Sequence, residues 1–140
     1  MALSNDKEKV WTGWLVDGAG GKETAVHEAL RGALVGRNIP KSEVTVGRLN
    51  MWWRKDSLFI DVKSSMDGVI QATIHVQEYG TSLWVGRAAE SYRQTNYYKR
   101  MAAAAFLETV DRCILETIQS VSGEKAVRVV LDVAAPPPPS

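Results

Sequence analysis

Between residues 43 and 90, apolar side chains fall on every second position; in the flanking stretches 24–37 and 94–121 they fall on every third or fourth. The first spacing marks strands with one buried face, the second helices with an apolar stripe. Within the alternating region, SLFIDVKS (57–64) sets Leu58, Ile60 and Val62 against Asp61 and Lys63. VIQATIHVQE (69–78) sets Ile70, Ala72, Ile74 and Val76 against Gln71, Thr73, His75 and Gln77. SLWVGRAAE (82–90) follows the turn Tyr79-Gly80-Thr81, and Asp67-Gly68 is a hairpin signal. EVTVGRLNMWW (43–53) changes face, with Val44 and Val46 on one side and Leu49, Met51 and Trp53 on the other. That switch predicts a bulge or bend at Gly47, and Arg54-Lys55-Asp56-Ser57 reads as a polar break. Four such strands with short turns predict one antiparallel sheet.

The first helix is carried by Val26, Ala29, Leu30, Ala33 and Leu34 and stops before Ile39-Pro40. The second has one stripe of Leu107, Val110, Ile114, Ile118 and Val121. A neighbouring stripe holds Tyr98, Ala102, Phe106 and Cys113. Glu108, Arg112 and Glu116 make a charge ladder on the solvated side, and Gly123 fits a C-cap. KVWTGWLV (9–16) and AVRVVLDV (126–133) read as flanking N- and C-terminal strands. The order predicts an α+β fold: four meander strands plus two flanking strands, with a short helix (24–37) and a long helix (94–121) on one face. The other face is expected to be polar. Residues 9–133 form a single domain in this reading, with 1–8 frayed and the Pro-rich 134–140 a disordered tail.

The stretch VDGAGGKET (16–24) resembles a phosphate-binding loop in composition only. The pattern G-x-x-x-x-G-K-[ST] wraps phosphates in backbone amides and holds a metal on a hydroxyl. Here Val16 stands where the first glycine belongs and Glu23 where the hydroxyl belongs. The dinucleotide pattern fails too, because Glu23 replaces its third glycine. The loop is a flexible exit from a strand into a helix, with Thr24 a candidate cap. Its glycines would also let the first strand–helix unit swing onto a second subunit.

Catalytic and metal chemistry find little support. His27 and His75 are the only histidines and Cys113 the only cysteine, too few for a closed zinc set from local motifs. Cys113 falls on an apolar stripe, where a thiol stays protonated. His75 is a half-exposed sheet histidine, a general base only if Asp61, Glu78 or Tyr79 joins it in a cleft. No metal or cofactor is expected. A net charge of +1 gives no global field toward nucleic acid or anionic lipid. Residues 101–118 carry Glu108, Asp111, Arg112 and Glu116, which rules out a simple membrane span. A soluble, cytoplasmic protein is expected.

What remains is an interleaving of aromatic and basic residues. Trp52, Arg54, Arg87, Tyr92, Arg93, Tyr97 and Arg100 are the candidate partner-binding residues, rings as anchors and guanidinium groups for acidic or phosphate groups. The alanine run of MAAAAF (101–106) predicts a helix contact across a two-fold axis through Ala102, Ala105 and Phe106. The expected function is a non-enzymatic binding or adaptor module, a homodimer that takes a protein or anionic partner. Single-stranded nucleic acid on the same surface is one alternative. A small-ligand carrier, with an apolar pocket between sheet and long helix, is the other.

Overall fold

In the computed structural model, which describes residues 7–51, 54–65, 70–92, 97–123 and 127–131, the elements follow the expected order. They are β1 (Lys7–Val16), α1 (Glu23–Gly36), β2 (Ser42–Met51), β3 (Arg54–Ser64), β4 (Ile70–Tyr79), β5 (Ser82–Tyr92), α2 (Tyr97–Ser122) and β6 (Val127–Leu131). The sheet runs β2-β3-β4-β5-β1-β6, and every neighbouring pair is antiparallel. Counting directions through the sheet makes β1 parallel to β2, and β5 parallel to β6. Parallel strands need a crossover. α1 supplies the first and α2 the second, which puts a helix after β1 and after β5.

Both helices pack on the same face. α1 lies over β2, β3 and β4, α2 over β4 and β5, and the helices touch each other. The core between them holds Trp14, Val16, Ile60, Val62, Ile74, Val76, Leu83 and Val85 from the sheet. Val26, Leu30 and Leu34 enter from α1; Phe106, Val110, Ile114 and Ile118 enter from α2. Each large aliphatic buried this way contributes about 1.5–3 kcal/mol. The second apolar stripe of α2 is explained by α1: Cys113 is buried with its Sγ 4.0 Å from the carbonyl oxygen of Ala33. These side chains form one buried cluster between sheet and helices.

Several local expectations change. Pairing runs unbroken through Gly47, and the register shift lies between Leu49 and Met51. Gly47 serves another purpose: a Cβ there would fall 2.7 Å from the Phe59 ring, which lies across it. Residues 54–57 are not a break but the start of β3, paired back to β2. Lys7 and Glu8 belong to β1 rather than to a frayed end. The remaining residues expected to fray, 1–6, the Asp67-Gly68 turn and the tail 134–140 lie outside the described residues. Thr24 does not cap α1; its N-cap is Lys22, without a side-chain bond. Gly123 does end α2, at φ 70° with its amide donating to the Gln119 carbonyl at 2.9 Å.

The glycine loop is tied to its own chain. The Gly20 amide donates to the Thr81 carbonyl at 3.0 Å, the Gly21 amide to Glu78 Oε1 at 2.9 Å, and Ser82 Oγ to Asp17 Oδ1 at 2.9 Å. These bonds dock the loop on the β4–β5 turn, and α1 packs on its own sheet. A swung-out strand–helix unit is therefore not the arrangement seen. The Gly21 amide, a donor that a phosphate in this loop would need, already holds the carboxylate of Glu78.

Candidate binding surface

Of the seven candidate partner-binding residues, Arg87, Tyr97 and Arg100 have described side chains, and these three divide between core and surface. Trp52 and Arg93 lie outside the described residues. Arg54 opens β3 opposite Met51, and Tyr92 closes β5 opposite Lys7. Arg87 is the clear departure: it is 3% exposed. It follows Leu83 and Val85 on the core face of β5, so strand alternation carries it inward. Its Nε and Nη2 donate to Asp111 Oδ1 and Oδ2 of α2, both at 2.8 Å. This bidentate pair bolts α2 to the sheet and leaves no guanidinium for a partner.

Tyr97 and Arg100 are exposed, on the first turn of α2. Tyr97 is 71% exposed, and the neighbouring Tyr98 and Met101 are 77% and 52% exposed. Tyr98 was expected on the apolar stripe; the helix begins beyond its packed region, and burial starts in earnest at Phe106. The two tyrosine rings meet edge to face, with centroids 6.1 Å apart. Lys99 is half-buried beside them. The first turn of α2 holds no acidic residue, so the positive end of the helix dipole adds to Lys99 and Arg100. Residues 97–101 thus combine three exposed apolar side chains with positive charge.

The expected dimer contact divides as well. Ala105 is exposed, Ala102 half-buried, and Phe106 is part of the core of its own chain. Phe106 therefore cannot reach across to a second subunit.

The groups with chemical potential elsewhere are engaged structurally. His27 is buried and its Nε2–H donates to the Phe59 carbonyl at 3.0 Å. Burial pushes the Cys113 thiol above its usual range, and the nearby Arg37 only partly offsets this. On the outer sheet face, burial lowers the His75 pKa, partly opposed by the charge of Asp61. Asp61 accepts a bond from Thr73 Oγ1 at 2.6 Å, and Glu78 is turned toward the Gly21 amide. Among the described residues no three His, Cys, Asp or Glu side chains come together as a metal-binding group. No helix among them is long and apolar enough to cross a membrane.

Sequence reasoning also missed the character of the outer face. It is polar on β3 and β4, as expected, apart from Phe59. On β5 and β1 it is not: Trp84, Gly86, Ala88, Gly13 and Leu15 share it. A Cβ on Gly13 would fall 2.1 Å from the Trp84 ring, and one on Gly86 2.9 Å from its Nε1. The indole lies flat over two glycines. No protein-family model and no curated protein matches the chain.

Proposed function

We propose that the chain is a non-enzymatic binding module whose docking surface is the first turn and a half of α2. The observation that carries this reading is the exposure of Tyr97, Tyr98 and Met101 beside Lys99 and Arg100. Three large apolar groups are exposed within five residues, and Tyr and Arg are residue types that dominate interface energetics. The exposed Arg100 and the positive end of the helix dipole favour an anionic partner. The side chains themselves favour an acidic protein segment over nucleic acid: the rings meet edge to face rather than forming an open stacking platform, and Arg87 is withdrawn into the core.

The test is fluorescence anisotropy with two labelled probes at low salt. One is a peptide of Glu and Asp interspersed with Leu and Phe; the other is oligo(dT). The peptide is expected to bind, and Tyr97→Ala with Tyr98→Ala is expected to weaken it at least tenfold, about 1.4 kcal/mol, at unchanged melting temperature. Tighter binding of oligo(dT), lost in the same variant, would transfer the surface to nucleic acid. Binding of neither probe, or binding indifferent to the substitutions, would remove the proposal.

A further inference from the structure

His75 stands in the middle of a transverse row on the outer sheet face. The register sets Gly47 of β2 opposite Phe59 of β3, and Phe59 opposite His75 of β4. It then sets His75 opposite Gly86 of β5, and Gly86 opposite Gly13 of β1. Directly opposed positions in a sheet lie about 4.5–5.5 Å apart at Cβ, so His75 has Phe59 as its neighbour on one side and the Gly86 position on the other.

Both aromatic rings of the row lean away from His75. The Phe59 ring lies over Gly47, its Cε1 2.7 Å from where a Cβ would stand. The six-membered ring of Trp84 lies over Gly13, its Cη2 2.1 Å from the Cβ position there. The indole Nε1 lies at the other end, 2.9 Å from the Cβ position of Gly86. His75, the cross-strand partner of Gly86, therefore stands beside the N–H edge of the indole and not under its face. An aromatic ring is negative on its face and positive at its edge. A cation over the face is held, whereas a cation at the edge is repelled.

Among the described side chains, β3 sets Phe59 and Asp61 beside His75, β5 sets Trp84, Gly86 and Ala88, and β4 itself sets Thr73 and Gln77. Asp61 is the one charge among these, and its Oδ1 already accepts the Thr73 hydroxyl at 2.6 Å. Both helices pack on the far side of the sheet and bring no charge to this face. His75 is half-buried, which opposes its protonation, and the charge of Asp61 offsets this only in part. The ring is therefore neutral at neutral pH and takes up its proton below pH 6.5.

We propose that His75 is an acid-sensitive latch for Trp84: the neutral imidazole lets the indole lie over Gly86 and Gly13, and the imidazolium, facing the indole N–H edge, displaces it. The cluster between sheet and helices stays packed, because His75 and Trp84 both lie on the face away from it. This inference is independent of the reading of α2, since it rests on a different face.

The test is an NMR titration of the full chain from about pH 7.5 to about pH 4.5, which brackets the ordinary histidine range. Under the indole, the Gly13 α-protons carry a ring-current shift. That shift is expected to collapse with the same midpoint as the His75 ring protons, while the methyl groups of Val110 and Ile114 stay in place. His75→Gln, which cannot charge, is expected to hold the shift throughout. Asp61→Asn removes the charge that favours the imidazolium, so it is expected to move both midpoints together to lower pH. That variant decides the matter should His75→Gln disturb the sheet. Gly13 protons that keep their shift through the His75 midpoint would overturn the proposal. So would a collapse that persists in His75→Gln, midpoints that separate in Asp61→Asn, or a collapse shared by the core methyl groups, which marks general unfolding.

Discussion

A guanidinium buried as deeply as that of Arg87 needs a partner, and Asp111 supplies both oxygens. Removing either partner leaves the other charge stranded. Asp111→Ala is therefore expected to cost about 3 kcal/mol by chemical denaturation, the lower end of the usual range because Asp111 is still 18% exposed. A loss under about 0.5 kcal/mol, typical of a surface pair, would show that the bolt is unimportant. This pair was legible in the sequence. Arg87 continues the alternation of Leu83, Val85 and Ala89, and Asp111 sits three and four residues from Ile114 and Leu107. It was misplaced because a charged side chain is ordinarily assigned to water. His75 gives a second test at this scale. Its folded pKa lies below 6.5, so the unfolded chain takes up the proton first as pH falls. Its contribution to stability is complete above pH 6.5 and declines below it, until the folded pKa is passed. His75→Gln is expected to flatten that part of the stability profile; an unchanged profile would mean that the titration lies elsewhere.

The elements were well marked by periodicity, because burial of one face imposes its period directly on the residues. Their ends were less legible. A helical repeat shows where the backbone can coil, not how far the sheet beneath it reaches. For that reason Tyr98 was counted with Phe106 although only Phe106 is covered. Gly47 was misread for a related reason: Gly47, like Gly13, marks an aromatic ring lying across it, and those rings come from other strands. Gly13→Val is expected to displace Trp84, lowering stability by about 1–3 kcal/mol and shifting tryptophan emission. Unchanged emission and stability would mean that the indole does not rest there. At the end of α2, Gly123→Ala is expected to cost about 1 kcal/mol in a thermal melt, since φ 70° suits glycine far better than alanine. A neutral result would place the helix end elsewhere.

On the scale of the whole molecule, the class of fold could be read from the chain but the outer face could not. Hairpins link neighbours in sequence, so the meander was visible. The insertion of β1 between β5 and β6 joins strands far apart in the chain, and only that insertion brings Gly13 under the Trp84 indole. Helices cover one side of the sheet, and the other side is polar on β3 and β4 and apolar around Trp84 on β5 and β1. The most direct measurement is a titration of the ¹⁵N-labelled chain with the acidic peptide, followed amide by amide. The expected result is a set of shifts concentrated at residues 97–101 and fading by Phe106. Shifts confined to the outer sheet face, or none at saturating peptide, would contradict the assignment of α2 as the docking surface.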